Sequence, residues 1–184
     1  MALTESTMMS LGTTAPDFSL PEPLTGQVQS LEQLRGERAT LVMFMCNHCP
    51  YVIHVIQGIK ALSADYLPRG VGVVAINSND VDNYPEDSPE KMSAWATKEH
   101  FLFPYLFDGT QTVAHAYGAA CTPDFFLFDA QLNCVYRGRM DGAKPGNDEP
   151  VTGQDLRGAL DAVLEGSSVD ETQKPSLGCN IKWK

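Results

Sequence analysis

The stretch that most restricts what this chain can fold into is LVMFMCNHCP, residues 41–50. Leu41 to Met45 is uncharged and apolar, and such a run without a breaker reads as a buried strand. It stops abruptly at Cys46-Asn47-His48-Cys49-Pro50. The paired cysteines can meet only if the chain turns there, and a helix starting at that point supplies the turn. Proline is tolerated at the first helical position and poorly further in. Pro50 therefore reads as the first helical residue, Cys49 as its cap, and Cys46 as lying just outside in the turn. Backbone N–H groups at a helix start carry partial positive charge, which favours thiolate over thiol. A thiolate attacks a disulfide or a peroxide, and a second cysteine then closes an intramolecular disulfide.

C-x-x-C is also half of a zinc site, but zinc needs a second pair of ligands. Cys121, Cys134 and Cys179 are isolated, with no second C-x-x-C and no H-x₃₋₅-H. A purely structural disulfide would close too short a loop to restrain the unfolded chain much. The N-terminal residues MALTESTMMSLG have neither the basic nor the apolar region of a secretory leader. Five cysteines without an export signal point to a reducing, cytoplasmic setting, where a paired motif is more often catalytic than structural. The net charge of −10 gives no footprint for nucleic acid and no attraction to anionic membranes. Residues 39–59 carry no formal charge, yet Asn47, His48, Pro50, His54 and Gln57 interrupt them. A buried strand followed by a helix is the better reading than a membrane span.

The remaining elements follow from periodicity and punctuation. Ala15 to Leu20 alternates like a short edge strand, and Gly26-Gln27-Val28 starts a returning one. Ser30-Leu31-Glu32-Gln33 is a capping box opening a short helix. After Cys49, Val52, Val55, Ile56, Ile59, Leu62 and Tyr66 share one helical face, and the helix ends near Pro68-Arg69-Gly70. Val71 to Asn77 is a second buried strand, and strand–helix–strand over this distance predicts a parallel pair. Ser78 to Asp87 reads as a polar loop, and Ser88-Pro89-Glu90 as the start of a helix facing inward at Met92, Trp95 and Ala96. A short strand follows Pro104, and Gln111 to Tyr117 is a short helix stopped by Gly118. Pro123 introduces a strand that pairs antiparallel with Cys134 to Gly138. Thr152 to Asp155 caps a last helix with Leu156, Ala159, Leu160, Val163 and Leu164 on one face.

These motifs, in this order, resemble the thioredoxin-fold redoxins, and among them the peroxiredoxin-like branch related to the alkyl hydroperoxide reductase/thiol-specific antioxidant group. Ala15-Pro16-Asp17-Phe18-Ser19-Leu20 is similar to the A-P-D-F-x-L start of redoxins. Cys46-Asn47-His48-Cys49 sits where thioredoxins carry their redox pair, and Thr122-Pro123 before FFLF resembles the cis-proline loop. The resemblance covers roughly residues 12–165, leaving a 1–11 arm and a 166–184 tail. It implies an α/β thioredoxin-like fold, a central mixed sheet flanked by helices, with an N-terminal redoxin extension and a C-terminal tail. The run Pro175 to Trp183 is also similar to a tail seen in some of these proteins.

Two positions depart from the pattern. Peroxiredoxins carry P-x-x-x-[ST]-x-x-C; with Cys49 in the cysteine's place, Val42 replaces the proline and Cys46 the hydroxyl residue. Thioredoxins bury an aspartate where this chain has Thr40, so Asp124 or a water must move the proton. Three functions are open: thiol–disulfide oxidoreductase, thiol peroxidase, or a binding or metal-handling module with Cys46, His48 and Cys49 as soft ligands. The first is favoured, because both the C-x-x-C and the Thr-Pro loop are intact.

Cys46 and Cys49 carry the catalysis, with His48, Thr122 and Pro123 supporting them. His48 and the helix start make Cys46 the acidic thiol. By resemblance, the Thr122–Pro123 bond is cis and lies against the pair, where the Thr122 backbone can pair with an extended substrate. Cys121 and Cys179 are candidate third or resolving thiols. Leu177, Ile181 and Trp183 dock the tail on the domain, where Cys179 acts in resolution, the tail covers the pair, or the cysteine is inert. Substrates are a disulfide-containing protein or small molecule, or a peroxide, with thioredoxin or glutathione as reductant. No cofactor and no metal are expected, and the oligomeric state is left open.

Overall fold

The computed structural model describes residues 3–184. In chain order its elements begin with β1 (Leu3–Glu5), β2 (Ser19–Pro21), β3 (Val28–Ser30), α1 (Leu31–Leu34) and β4 (Ala39–Phe44). They continue with α2 (Pro50–Tyr66), β5 (Val71–Asn77), α3 (Pro89–Glu99), β6 (Tyr105–Phe107), α4 (Thr112–Tyr117) and β7 (Cys121–Thr122). The last are β8 (Asp124–Asp129), β9 (Cys134–Gly138), α5 (Gln154–Glu165) and β10 (Leu177–Asn180).

The central sheet has the order β6-β5-β4-β8-β9, with β4 parallel to β5 and antiparallel to β8. Every residue of β4 is buried, because both faces of this middle strand are covered. Leu41 and Met43 point to a core shared with Val55 and Ile59 of α2 and with Leu156 and Leu160 of α5. Val42 and Phe44 point to a second core with Phe126, Phe128 and Tyr117. The strand thus holds the start of α2 from both sides, and α2 begins at Pro50 with Cys49 as its cap.

The capping box of α1 forms as its sequence predicts, Ser30 accepting from the Gln33 N–H while Gln33 accepts from the Ser30 N–H. Other details differ from expectation. Only Ser19–Pro21 of the first segment is strand; upstream, Thr14 bridges Asn133. At the start of α5 the cap residue is Gly153 in the left-handed region, and Thr152 Oγ1 accepts from the Gln154 N–H at 3.3 Å. Asp141 adds to the local cap by accepting from the Thr152 and Gly153 N–H groups at 2.8 and 2.6 Å.

A separate three-stranded sheet, β1-β10-β7, lies across the end of the domain where α2 starts. Both its pairings are antiparallel. Beyond β10, Ile181 is buried in the second core, and the Lys182 carbonyl accepts from Asp80 N–H and Gln111 Nε2. Trp183 stacks on His115 with ring centroids 4.3 Å apart. Among the described residues no helix is long and apolar enough to cross a membrane.

Candidate active site

The turn between β4 and α2 brings Cys46 and Cys49 against the loop that precedes β8. The Thr122–Pro123 peptide bond in that loop is cis. In its thiol form Cys49 donates to the Thr122 carbonyl at 3.1 Å, and Cys46 Sγ lies 3.5 Å from Thr122 Oγ1. The cysteine sulfurs also hydrogen-bond each other. Both residues are buried, at 1% and 0% exposure, and all five cysteines are free.

The segment expected as a polar loop, 78–87, is in fact the second wall of the site. Asp87 is fully buried, and its carboxylate accepts from the Asn47 N–H and from Asn79 Nδ2, each at 2.8 Å. His48 Nδ1 lies 2.8 Å from the same carboxylate, although its N–H does not point straight at the oxygen. The His48 ring stacks on Tyr84, interplanar angle 3°, and buried Tyr105 donates to Asn47 Oδ1 at 3.0 Å. The residues between the cysteines are therefore clamped from the loop side. Sequence reasoning missed Asp87, Asn79, Tyr84 and Tyr105. The one signal in the sequence was the density of Asn and Asp in residues 77–87.

The pair behaves as one site sharing a negative charge, and the charge sits on Cys49. Its pKa is lowered to about 5, chiefly by the hydrogen bond from Cys46 and further by Thr122 and Cys179, against the cost of burial. The Val52 N–H in the first turn of α2 also favours the thiolate, without completing a capping bond of ordinary geometry. Cys46 moves the other way, held well above the usual thiol range by its bond to Cys49, by burial and by the Asp87 charge. This corrects the expectation that Cys46 is the acidic thiol. His48, read as the activating cation, is engaged with Asp87, which raises its pKa. The same carboxylate that holds the imidazole disfavours a second charge on Cys46.

Cys121 lies in β7 with its thiol directed at the Pro123 carbonyl at 3.7 Å, and burial pushes its pKa strongly up. Cys134 is remote, in the second core, donating to the Tyr136 carbonyl and pushed to about 11 by burial. Cys179, in β10, stands opposite Thr122 and packs in one cluster with Cys46 and Cys49. Asp124 is fully buried, and burial holds its carboxyl well above the usual range; the Ala120 and Phe125 N–H groups approach it without full hydrogen-bond geometry. Cys46, His48 and Asp87 each bring a donor atom within 4.8 Å of the others, a soft-metal set in composition. Here Asp87 already accepts from Asn47 and Asn79 and lies against His48 Nδ1, so the trio works as a clamp. Beside the pair, a cavity of about 310 Å³ opens along Tyr51, Pro123, Phe125 and Leu177.

Comparison with known proteins finds relatives of two kinds of name, thiol-disulfide oxidoreductase and, in Mycobacterium tuberculosis, a putative peroxiredoxin that is 27% identical over 64% of this chain and 69% of its own length. A crystal structure of an uncharacterized conserved protein from Geobacillus kaustophilus superposes with a TM-score of 0.98 at 55% identity, covering 100% of this chain and 97% of that one. Thiol-disulfide oxidoreductase ResA of Geobacillus thermodenitrificans is 30% identical over 68% of this chain and 67% of its own length. The thioredoxin domain of a Bacteroides vulgatus thiol-disulfide oxidoreductase shares the fold at a TM-score of 0.62 and 14% identity, over 82% of this chain and 97% of that one. The fold is thioredoxin-like, and residues 10–156 match the family model described as Redoxin. The chain belongs to the redoxin family.

Proposed function

We propose that this redoxin is a thiol–disulfide oxidoreductase whose Cys46 and Cys49 cycle between dithiol and disulfide. The observation that carries the reading is the placement of an acidic Cys49 at the cap of α2, bonded to Cys46 and to Thr122 of the cis-proline loop. Cys49 thiolate attacks one sulfur of a substrate disulfide, and the other leaves as a thiolate that takes a proton. Cys46 then gives up its proton and attacks Cys49 Sγ, releasing the second substrate thiol and closing Cys46–Cys49. Two protein thiols are oxidised and one substrate disulfide is reduced. A reductant such as thioredoxin or glutathione resets the pair.

The support for disulfide rather than peroxide as substrate is chemical. At the position where the peroxiredoxin pattern carries its hydroxyl residue this chain has Cys46, and the hydroxyl beside the pair belongs instead to Thr122 of the cis-proline loop, which is also where an extended disulfide substrate would pair. Because both sulfurs are buried, exchange with a protein partner requires local opening of the edge formed by β7 and β10. The test presents anaerobically reduced protein with insulin and, separately, with hydrogen peroxide. Insulin reduction in the presence of a thiol reductant is expected, abolished by Cys49→Ser, with peroxide consumed no faster than by free cysteine. Rapid peroxide turnover with no insulin reduction would reject the proposal.

A further inference from the structure

The edge of β7 beside the redox pair is occupied by the chain itself. Thr122 pairs antiparallel with Cys179, Asn180 pairs with Cys121, and the Ile181 N–H donates to the Ala120 carbonyl at 3.0 Å. This is the backbone pairing that an extended disulfide-bearing substrate was expected to make with Thr122. The approach is closer than most side chains allow: a Cβ on Gly178 would lie 2.0 Å from the Thr122 carbonyl oxygen. A glycine directly before the cysteine lets the strand press against the loop. The Cys179 thiol hydrogen-bonds Cys49 Sγ from this position, so Cys49 has a thiol neighbour on each side.

The strand is fixed at both ends. Before it, the Ser176 N–H donates to Ser6 Oγ at 2.9 Å and Ser176 Oγ donates to the Gly138 carbonyl at 2.6 Å. After it, the Lys182 N–H donates to Asn79 Oδ1 at 2.8 Å, and Asn79 also donates to Asp87. The loop that clamps His48 and the strand that carries Cys179 are thus tied through one asparagine. Cys179 is held against Cys49 by the fold rather than reaching it by chance from a free tail.

We propose that Cys179 is a third redox thiol of this centre, forming a disulfide with Cys49 in alternation with Cys46. The proposal rests on the reading of Cys49 as the attacking sulfur. Once Cys49 is joined to a substrate sulfur, Cys179 loses its proton to the departing substrate thiolate and attacks Cys49 Sγ. The bond between Cys49 and the substrate breaks, and Cys49–Cys179 forms. The balance is that of the Cys46 route: two thiols oxidised, one disulfide reduced. The arrangement gives Cys49 two exits, one inside the C-x-x-C and one on the strand at the substrate edge.

The test treats full-length reduced chain with dithiodipyridine under anaerobic conditions, quenches in acid, and reads thione release, intact mass and peptide map. Wild type is expected to release two thiones per chain and retain no pyridyl group. Cys46→Ser, with Cys46→Ala as a second variant should serine disturb folding, is expected to do the same and to yield Cys49–Cys179. The double variant Cys46→Ser/Cys179→Ser is expected to keep a pyridyl group on Cys49. If both Cys46 variants keep the pyridyl group with Cys179 free, or form Cys49–Cys121 instead, the inference is overturned while the Cys46–Cys49 cycle stands. If wild type forms neither Cys46–Cys49 nor Cys49–Cys179, the proposed function fails with it.

Discussion

Gly178→Ala tests how closely the site depends on β10. The added Cβ would sit 2.0 Å from the Thr122 oxygen and 2.7 Å from its carbonyl carbon, both rigid backbone atoms, whereas ordinary contact begins at 3.4 Å. The strand must retreat by between about 1 Å and 3.4 − 2.0 = 1.4 Å. The neighbouring Ile181 N–H to Ala120 bond, now 3.0 Å, then passes beyond hydrogen-bond range. Losing it and weakening the Thr122–Cys179 pairing, at about 0.5–1.5 kcal/mol per bond, gives a destabilisation of about 1–3 kcal/mol. For a chain of this size that lowers Tm by roughly 2–12 °C. Cys49 also loses one of its thiol neighbours, so its alkylation by iodoacetamide quickens as the edge opens. Gly158→Ala is the control: it lies inside α5 with nothing within 4 Å of the new Cβ. That change removes backbone freedom from the unfolded chain and stabilises by about 0.5–1 kcal/mol. Urea denaturation and timed alkylation read both variants. A Gly178→Ala chain as stable as wild type, with unchanged alkylation, would refute the close approach of β10 to the loop.

Asp87→Asn removes the charge that raises His48, so the imidazole pKa read by NMR falls toward 6.5; an unmoved His48 would show that Asp87 is not its partner. Asp87→Ala leaves the Asn47 N–H and the Asn79 amide unpaired in the interior and costs about 2–4 kcal/mol by denaturation. Stability falls as pH rises above the unfolded thiol value of 9.0, because Cys134 and Cys179, pushed to about 11 and 12, keep protons that the unfolded chain releases. Cys49 has the opposite sign: its contribution is complete above 9.0 and is lost as pH falls through about 5, and a Cys49→Ser chain lacks that acid-side loss in pH-dependent unfolding. Cys134→Ser, remote from the pair, costs about 1–3 kcal/mol by burying a new hydroxyl but leaves insulin reduction unchanged; a matching loss of turnover would show that the second core feeds the site.

What could be read from the sequence was whatever depended on near neighbours. Pro50 marked the first helical residue because a proline's missing N–H is harmless only there, and the α2 face from Val52 to Tyr66 followed from its period. The parallel β4–β5 pair followed from the length of the intervening helix. What escaped depended on contacts across the chain. Asp87 looked like one more solvated acid, since nothing local shows that the Asn47 N–H and Asn79 would enclose it. β7 and β10 are too short and too polar to carry a strand pattern, and they exist because each completes the other's hydrogen bonds. The site of the acidic thiol was misread for the same reason: helix position and His48 suggested Cys46, while the decisive donors come from Cys46 itself, Thr122 and Cys179.

The small sheet also sets an order of events during folding. Leu3 pairs with Cys179, and Cys179 with Thr122, so closing this sheet joins residues from nearly opposite ends of the described chain. Contacts of such separation form late, after local elements have condensed. On a ribosome, β4, α2 and β8 are all made before residues 177–180, and until those residues arrive β7 has a bare edge and Cys49 lacks its second thiol neighbour. An unpaired strand edge beside a reactive sulfur is what draws a nascent chain into mixed disulfides and aggregates. The surroundings of Cys49 are thus completed by β10, the last of the described strands, and stay open at the β7 edge until residues 177–180 are made.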